Sequence, residues 1–400
     1  MKIVMVCFAS YPCGMGPARR VYLLGKALSV AGHEVHVVGA VNTESEEEEE
    51  DYNGVVMHWA GNKCAAGRSR FRQRITCRVS IMQHLVAFGR QGFDWVYLYN
   101  IGLESAVFIA LARRYGMSVA VDSCDLWYLD NASRRNAREI VRWLCWSLHD
   151  RILAPSYALN TVSSRFLERH YFARAPRVPT LVVPALVDTD TFIKNDQGRT
   201  SFREHWGLGK EPVISYLGSF RKIEGISYLF RAFRLLTDNG YQAKLVLSGK
   251  HLRHALHDDI VELIAELKLD GRVVFTGNLP IDRVPQAIAA ADILVIPKID
   301  HDANRAGFPL KLAEYLSVGK ALVVTRVGDI EEYLTDGHDS LLCPPNDEVA
   351  LAHAIKRLLD NPELASRLAT NARQTAITQF GLELAGQRLA QAMESASERQ

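Results

Sequence analysis

Short runs of β-branched and aliphatic residues alternate with longer stretches of helical periodicity along nearly the whole chain, and midway the series restarts. KIVMVCF, EVHVVGA, WVYLYN and SVAVDSC read as buried strands, and ARRVYLLGKALSVAG, ending in Gly32, and LESAVFIALARRYG as helices between them. PVISYLGSF opens a second series that runs through AKLVLSG, VVFTG, DILVIP and ALVVT, separated by helical stretches such as ISYLFRAFRLLTDNG and DDIVELIAELKL. This order predicts an α/β protein with parallel sheets covered by helices on both faces. The restart predicts two doubly wound, Rossmann-like domains joined through TLVVPALVDTDTF, near residues 184 to 192. Two such domains facing each other leave a central cleft at the carboxyl ends of the strands, where ligands of open α/β sheets bind.

A length of 400 residues fits that division, being too long for one ordinary core. A net charge of +2 gives no reason to expect nucleic acid as a partner. The seven cysteines include no C-x-x-C pair, which predicts reduced thiols and a cytoplasmic setting rather than disulfides or a zinc site. MKIVMVCFASYP is too short an apolar run for a signal peptide, and no run of about 18 apolar residues predicts a membrane span. The acidic block ESEEEEED, 44 to 51, reads as a solvated loop. Residues 62 to 90 carry seven basic and no acidic side chains, and suit either a solvated face or a patch meeting anionic headgroups, hence peripheral membrane contact. RRNAREIVRWLCWSLHDR, 134 to 151, adds tryptophans to bases and leaves core packing and membrane contact both open.

The candidate chemistry lies in the loops after strands. In SYPCGMGPARR, Gly14 and Gly16 allow close backbone approach at a helix N-terminus. The third glycine of a dinucleotide fingerprint is replaced by Arg19, and the second strand ends without a carboxylate, so NAD is not expected. In YLGSFRKIEG, Gly218, Ser219, Arg221 and Lys222 put amides and cations in one turn, a pattern that suits a diphosphate. Lys250 and Asn278 end later strands, where a nucleobase could meet backbone groups. In AGFPLKLAEYLSVGK, Pro309 suits the first turn of a helix, leaving the amides of Gly307, Phe308, Leu310 and Lys311 to meet an anion. Glu314, one turn deeper, is an acceptor suited to ribose hydroxyls. The alternative is that Lys311 and Glu314, three apart, form a surface ion pair.

These segments resemble the retaining, GT-B-fold group 1 glycosyltransferases, a family that includes sucrose synthase-like enzymes and bacterial polysaccharide and mannosyl transferases. GMGPARRVYLLGKALSVAGHEVHVV resembles the family's glycine loop and first helix, LVVPALVDTDTF its interdomain signature, and GFPLKLAEYLSVGKALVVTRVGDIEEYLTDGHDSLLCPPND its donor-binding region. The tail FGLELAGQRLAQAM resembles the helix that crosses back to the first domain. The resemblance implies an acceptor-binding domain over 1–184, a nucleotide-sugar donor domain over 185–377 and a returning helix over 378–400. The chain departs from the pattern in three places. The first of two family glutamates falls on Ala306, the second matching Glu314. In the loop after the first strand of the second series, a family Arg and a family Lys are replaced by Ser219 and Glu224. A family His falls at about Cys124, beside Asp125.

The resulting expectation is a cytoplasmic transferase, free or peripheral at the inner face of a membrane, that moves a sugar from a nucleotide-diphosphate sugar to a sugar or lipid-linked glycan. Lys311, Arg221, Lys222 and helix N-termini would stabilise the leaving group, and Asp125 would orient the acceptor. No cofactor and no metal site are expected, Asp300 and Asp302 reading as loop residues or acceptor contacts. A nucleotide-sugar epimerase of the same fold and a non-catalytic binding subunit are the alternatives.

Overall fold

A computed structural model describes residues 1–10, 16–40, 49–60, 70–100, 102, 105–124, 137–249 and 254–399. The chain divides into two compact units, Met1–Leu186 with Leu382–Gln400, and Val187–Gly381.

In the first unit the strands are β1 (Lys2–Ser10), β2 (Glu34–Ala40), β3 (Glu49–Asp51), β4 (Val56–Ala60), β5 (Trp95–Tyr99), β6 (Ser118–Ser123), β7 (Leu159–Val162) and β8 (Thr180–Val182). The helices are α1 (Gly16–Val30), α2 (Arg70–Arg90), α3 (Ala106–Arg114), α4 (Ala137–Ile152) and α5 (Arg165–Phe172). Among the described residues the sheet runs β3-β4-β2-β1-β5-β6-β7-β8, parallel except at β3. The connection from β1 to β2 steps one way across this sheet. Those through α2, α3, α4 and α5 step the other way, so right-handed crossovers put these four helices together on the face opposite α1.

The acidic block departs from expectation at its end. Glu49–Asp51 pairs antiparallel with β4, while 44–48 lie outside the described residues. Charges on a short edge strand discourage further pairing.

In the second unit the strands are β9 (Val213–Leu217), β10 (Lys244–Ser248), β11 (Val273–Gly277), β12 (Ile293–Ile296), β13 (Ala321–Thr325) and β14 (Leu341–Cys343). The helices are α6 (Asp196–His205), α7 (Ile226–Asp238), α8 (His254–Glu266), α9 (Val284–Ala290), α10 (Asp302–Ala306), α11 (Leu310–Val318), α12 (Ile330–Tyr333), α13 (Glu348–Asp360) and α14 (Pro362–Thr375). The strands are parallel in the order β11-β10-β9-β12-β13-β14. Leu229, Phe230, Phe233 and Leu236 turn one stripe of α7 into the core, each worth about 1.5–3 kcal/mol on burial.

The chain then returns to the first unit as α15 (Leu382–Ser397), which packs along α1. The two backbones approach so closely that a Cβ at Gly386 would strike the carbonyl of Ala27.

Candidate functional site

In the second sheet the connections from β9 lead one way to β10, and the later strand β12 lies on the other side. The switch point is therefore at the carboxyl ends of β9 and β12, where a crevice forms for topological reasons. Gly218 follows β9, and its N–H donates to the Ser248 carbonyl at 2.8 Å. A Cβ at residue 218, which has φ +150°, would crowd the Lys311 ammonium and Tyr216 Oη, so glycine lets both sit close against the backbone here.

Lys311, near the start of α11, donates to Tyr216 Oη at 2.7 Å and to Glu224 Oε2 at 3.1 Å. Its nitrogen also lies 4.1 Å from the centre of the Tyr216 ring. Glu224 closes a 3-10 turn, Lys222–Glu224, and is followed by Gly225 at φ +75°, where a Cβ would strike the Pro297 carbonyl. Lys298, just beyond β12, reaches the other carboxylate oxygen at 3.3 Å and Asn304 Oδ1 at 2.9 Å. The Asn304 amide donates to the carbonyls of Ile223 at 2.7 Å and Ile299 at 2.8 Å. Two ammonium groups thus share one carboxylate that is 8% exposed, and the cluster keeps one net positive charge.

Burial by itself would raise the Glu224 carboxyl. The charges of Lys311 and Lys298, with hydrogen bonds from Lys311 and Tyr216, outweigh it and hold the group down at about 2. Burial lowers the Lys311 ammonium, and Glu224 opposes that shift. A partly compensated cation in a desolvated position interacts more strongly with an incoming anion than a solvated lysine does.

The expected residues divide among several environments. Lys311 belongs to the buried cluster; Arg221 and Lys222 are exposed, Lys222 standing 4.0 Å from Asp259. The Lys311–Glu314 pairing considered from sequence gives way to Lys311–Glu224, and half-buried Glu314 acts on Lys311 less strongly than Glu224 does. Ser219 accepts the Tyr216 hydroxyl through its carbonyl at 2.8 Å. Asn278 is exposed beyond β11. The Gly307 N–H donates to the Ala303 carbonyl at 3.1 Å, closing α10. Phe308 is buried against Tyr333 and Phe380, with ring centroids 5.1 and 5.9 Å away, so its ring anchors the start of α11 to the core. Pro309 takes the cap position, one residue earlier than expected, and the helix begins at Leu310. Gly16 is the first residue of α1, while Gly14, Asp125 and Lys250 lie outside the described residues. Asp300 and Asp302 both pair with Arg305, at 2.7 and 3.3 Å. Among the described residues no three His, Cys, Asp or Glu side chains converge as metal ligands.

Tyr216, Glu224, Lys298 and Asn304 were not singled out as site residues by sequence reasoning. The available signal was a lone Lys immediately after the apolar strand DILVIP and a lone Glu immediately before a helix-opening glycine. The first unit holds a second missed network. Arg20 of α1 binds Asp122 of β6 through two nitrogens, at 2.7 and 2.9 Å, and donates to the carbonyls of Val183, at 2.8 Å, and Pro184. Thr161 donates to the same carboxylate at 2.7 Å.

Two doubly wound units, with the Lys311–Glu224–Lys298 cluster at the switch point of the second, define an α/β protein of the two-domain Rossmann-like class. Residues 198–375 match the family described as Glycosyl transferases group 1, and residues 15–185 match the Glycosyl transferase 4-like domain. The chain belongs to the group 1 glycosyltransferases. It is 28% identical over 217 residues to the alpha-D-kanosaminyltransferase of Streptomyces kanamyceticus, covering 54% of this chain and 53% of that protein. It is 27% identical over 237 residues to a GDP-mannose-dependent alpha-(1-6)-phosphatidylinositol monomannoside mannosyltransferase of Mycolicibacterium smegmatis, covering 58% and 60%. The chain thus spans little more than half the length of these curated relatives. Sucrose-phosphate synthase from Thermosynechococcus elongatus has the same fold over the whole of both chains, with a TM-score of 0.78 at 19% identity. Anabaena HepE in complex with UDP-glucose matches with a TM-score of 0.72 at 16% identity, over 99% of this chain and 100% of that one. These likenesses establish the GT-B fold.

Proposed function

We propose that the chain transfers a sugar from a nucleotide-diphosphate sugar to a sugar or lipid-linked glycan acceptor, with retention of anomeric configuration. The second unit would hold the donor and the first the acceptor. The observation that carries this reading is the Lys311–Glu224–Lys298 cluster at the carboxyl ends of β9 and β12. Breaking the bond between a sugar and a diphosphate builds negative charge on the leaving oxygen, and a fixed cation in a desolvated position favours that charge without reorganisation. Lys311 would be that cation, and the amides at the start of α11 would add a partial positive charge. Glu314, one turn on, would accept the ribose hydroxyls. Arg221 and Lys222, being exposed, would reach the phosphates as the ligand enters. The UDP-glucose bound to HepE supports a donor of this class. Retention rests on the family resemblance, with attack on the same face of the sugar as the departing phosphate.

A thermal-shift panel of UDP, GDP, ADP, CMP and dTDP tests the donor class. A ligand at 100 times its dissociation constant stabilises by about 2.7 kcal/mol, which moves the melting point of a unit this size by roughly 5–10 °C. One diphosphate should stand out from the rest. A flat response across the panel overturns the proposal.

A further inference from the structure

Helix α4 is apolar on its outward side. Ile140, Val141, Leu144, Leu148 and Ile152 form one stripe at helical spacing, and each is 46–61% exposed. The inward side is fixed by polar contacts, so the stripe does not reflect a helix free to roll. The Asp150 carboxylate, fully buried, lies 3.1 Å from His149 Nδ1 and 3.3 Å from His170 Nε2, and accepts the Tyr171 hydroxyl at 3.3 Å. Tyr157 Oη stands 2.9 Å from the other nitrogen of His149.

The neighbouring helices on the same face continue the pattern. Ile75 and Val79 of α2, Val107 of α3 and Phe172 of α5 are exposed too. A groove of about 460 Å³ between α2 and α3 is lined by Val79, Met82, Val86, Val107, Leu111 and Arg90. Arg90, Arg113, Arg114 and Arg151 are exposed on α2, α3 and α4. The sequences of these three helices contain two carboxylates, Glu139 and the buried Asp150.

We infer that the outward face of α2, α3 and α4 docks on a bilayer surface bearing anionic headgroups, with the α4 stripe entering the acyl boundary. Apolar residues flanked by arginines match an interface in which hydrocarbon lies just beneath phosphate. A second copy of this chain is a poorer occupant, because a two-fold contact would bring arginines against arginines. No helix among the described residues is long and apolar enough to cross a membrane, so the contact is peripheral. This assigns a partner to a surface outside the proposed donor site, and deepens the reading in which the acceptor is lipid-linked.

The test is co-sedimentation with vesicles of phosphatidylcholine alone and of phosphatidylcholine mixed with phosphatidylglycerol. The parent chain should partition to the anionic vesicles, and less so as salt rises. Leu144→Gln with Leu148→Gln should reduce partitioning by roughly tenfold or more. Arg113→Gln with Arg114→Gln should reduce it at low salt and flatten the salt dependence. The substituted leucines are exposed, and an unchanged melting curve confirms folding. The nucleotide-induced melting shift serves as a separate reading of the donor site and should not change. Failure of the parent to partition, or equal partitioning by both variants, overturns the inference. So does a parent dimer that the leucine substitutions convert to a monomer without any vesicle binding.

Discussion

Lys311 and Glu224 lie 87 positions apart in the chain and meet at 3.1 Å above Gly218. The contact fixes an ammonium group at the carboxyl end of β9 and, through the second carboxylate oxygen, ties it to Lys298 beyond β12. A buried carboxylate shared by two cations has an asymmetric energetic role. Removing it leaves two uncompensated positive charges, which costs more than the pair itself contributes.

Glu224→Gln is therefore expected to destabilise the unliganded chain by about 3–5 kcal/mol, lowering its melting point by roughly 6–20 °C. A bound diphosphate should recover more of that loss than it adds to the parent, because it supplies the missing negative charge. Melting curves with and without the nucleotide decide this. An equal ligand-induced shift in both proteins would mean that Glu224 does not balance the ligand charge.

Glu314→Gln should weaken nucleotide binding by roughly 10- to 150-fold, the range for hydrogen bonds to a charged group, with little change in melting point. The loss should largely vanish for a ligand without ribose hydroxyls. Undiminished affinity together with a lower melting point would make Glu314 a structural residue.

Arg20→Met should destabilise the first unit by about 3–5 kcal/mol by leaving Asp122 buried without its cation. Combining it with Asp122→Leu should recover much of that cost, because both buried charges are then removed. Chemical denaturation of the two single variants and the double variant measures the coupling. Additive losses would show that the pair contributes no interaction of its own.

His58 gives the first unit an acid-sensitive side. Burial, followed by the charges of His36 and His84, lowers it from 6.5 to about 4. The His36 and His58 rings stack 5.1 Å apart, with Phe88 and Phe93 packed around them and Glu34 3.3 Å from His36. The unfolded chain takes up a proton near 6.5 and the folded chain only near 4. Stability should thus be level above 6.5 and fall as the pH drops from 6.5 to 4. His58→Phe should flatten that limb in a pH series of melting curves; an unchanged limb assigns it to other groups.

The strands and long helices were legible because their apolar patterns are local. AKLVLSG, VVFTG, DILVIP and ALVVT each become parallel strands in the second sheet. AGFPLKLAEYLSVGK indeed opens a helix at the switch point. The partners of its lysine were not legible, since sequence spacing brings Glu314 near Lys311 and gives no sign of Glu224 or Lys298. Arg20 was obscure for the same reason: in ARRVYLL it looks like a solvated helix residue, and only the parallel pairing of β6 brings Asp122 beneath it. Phe308 illustrates the converse, a residue of the donor-like motif whose ring serves the core.

Calorimetric titration of the parent and Lys311→Ala with the best nucleoside diphosphate and with its nucleoside tests the proposed donor site most directly. The account predicts that the parent binds the diphosphate at least tenfold more tightly than the nucleoside, and that Lys311→Ala loses most of this difference while binding the nucleoside as before. Equal binding of the diphosphate by both proteins would contradict the account, since the phosphates would then lie away from Lys311.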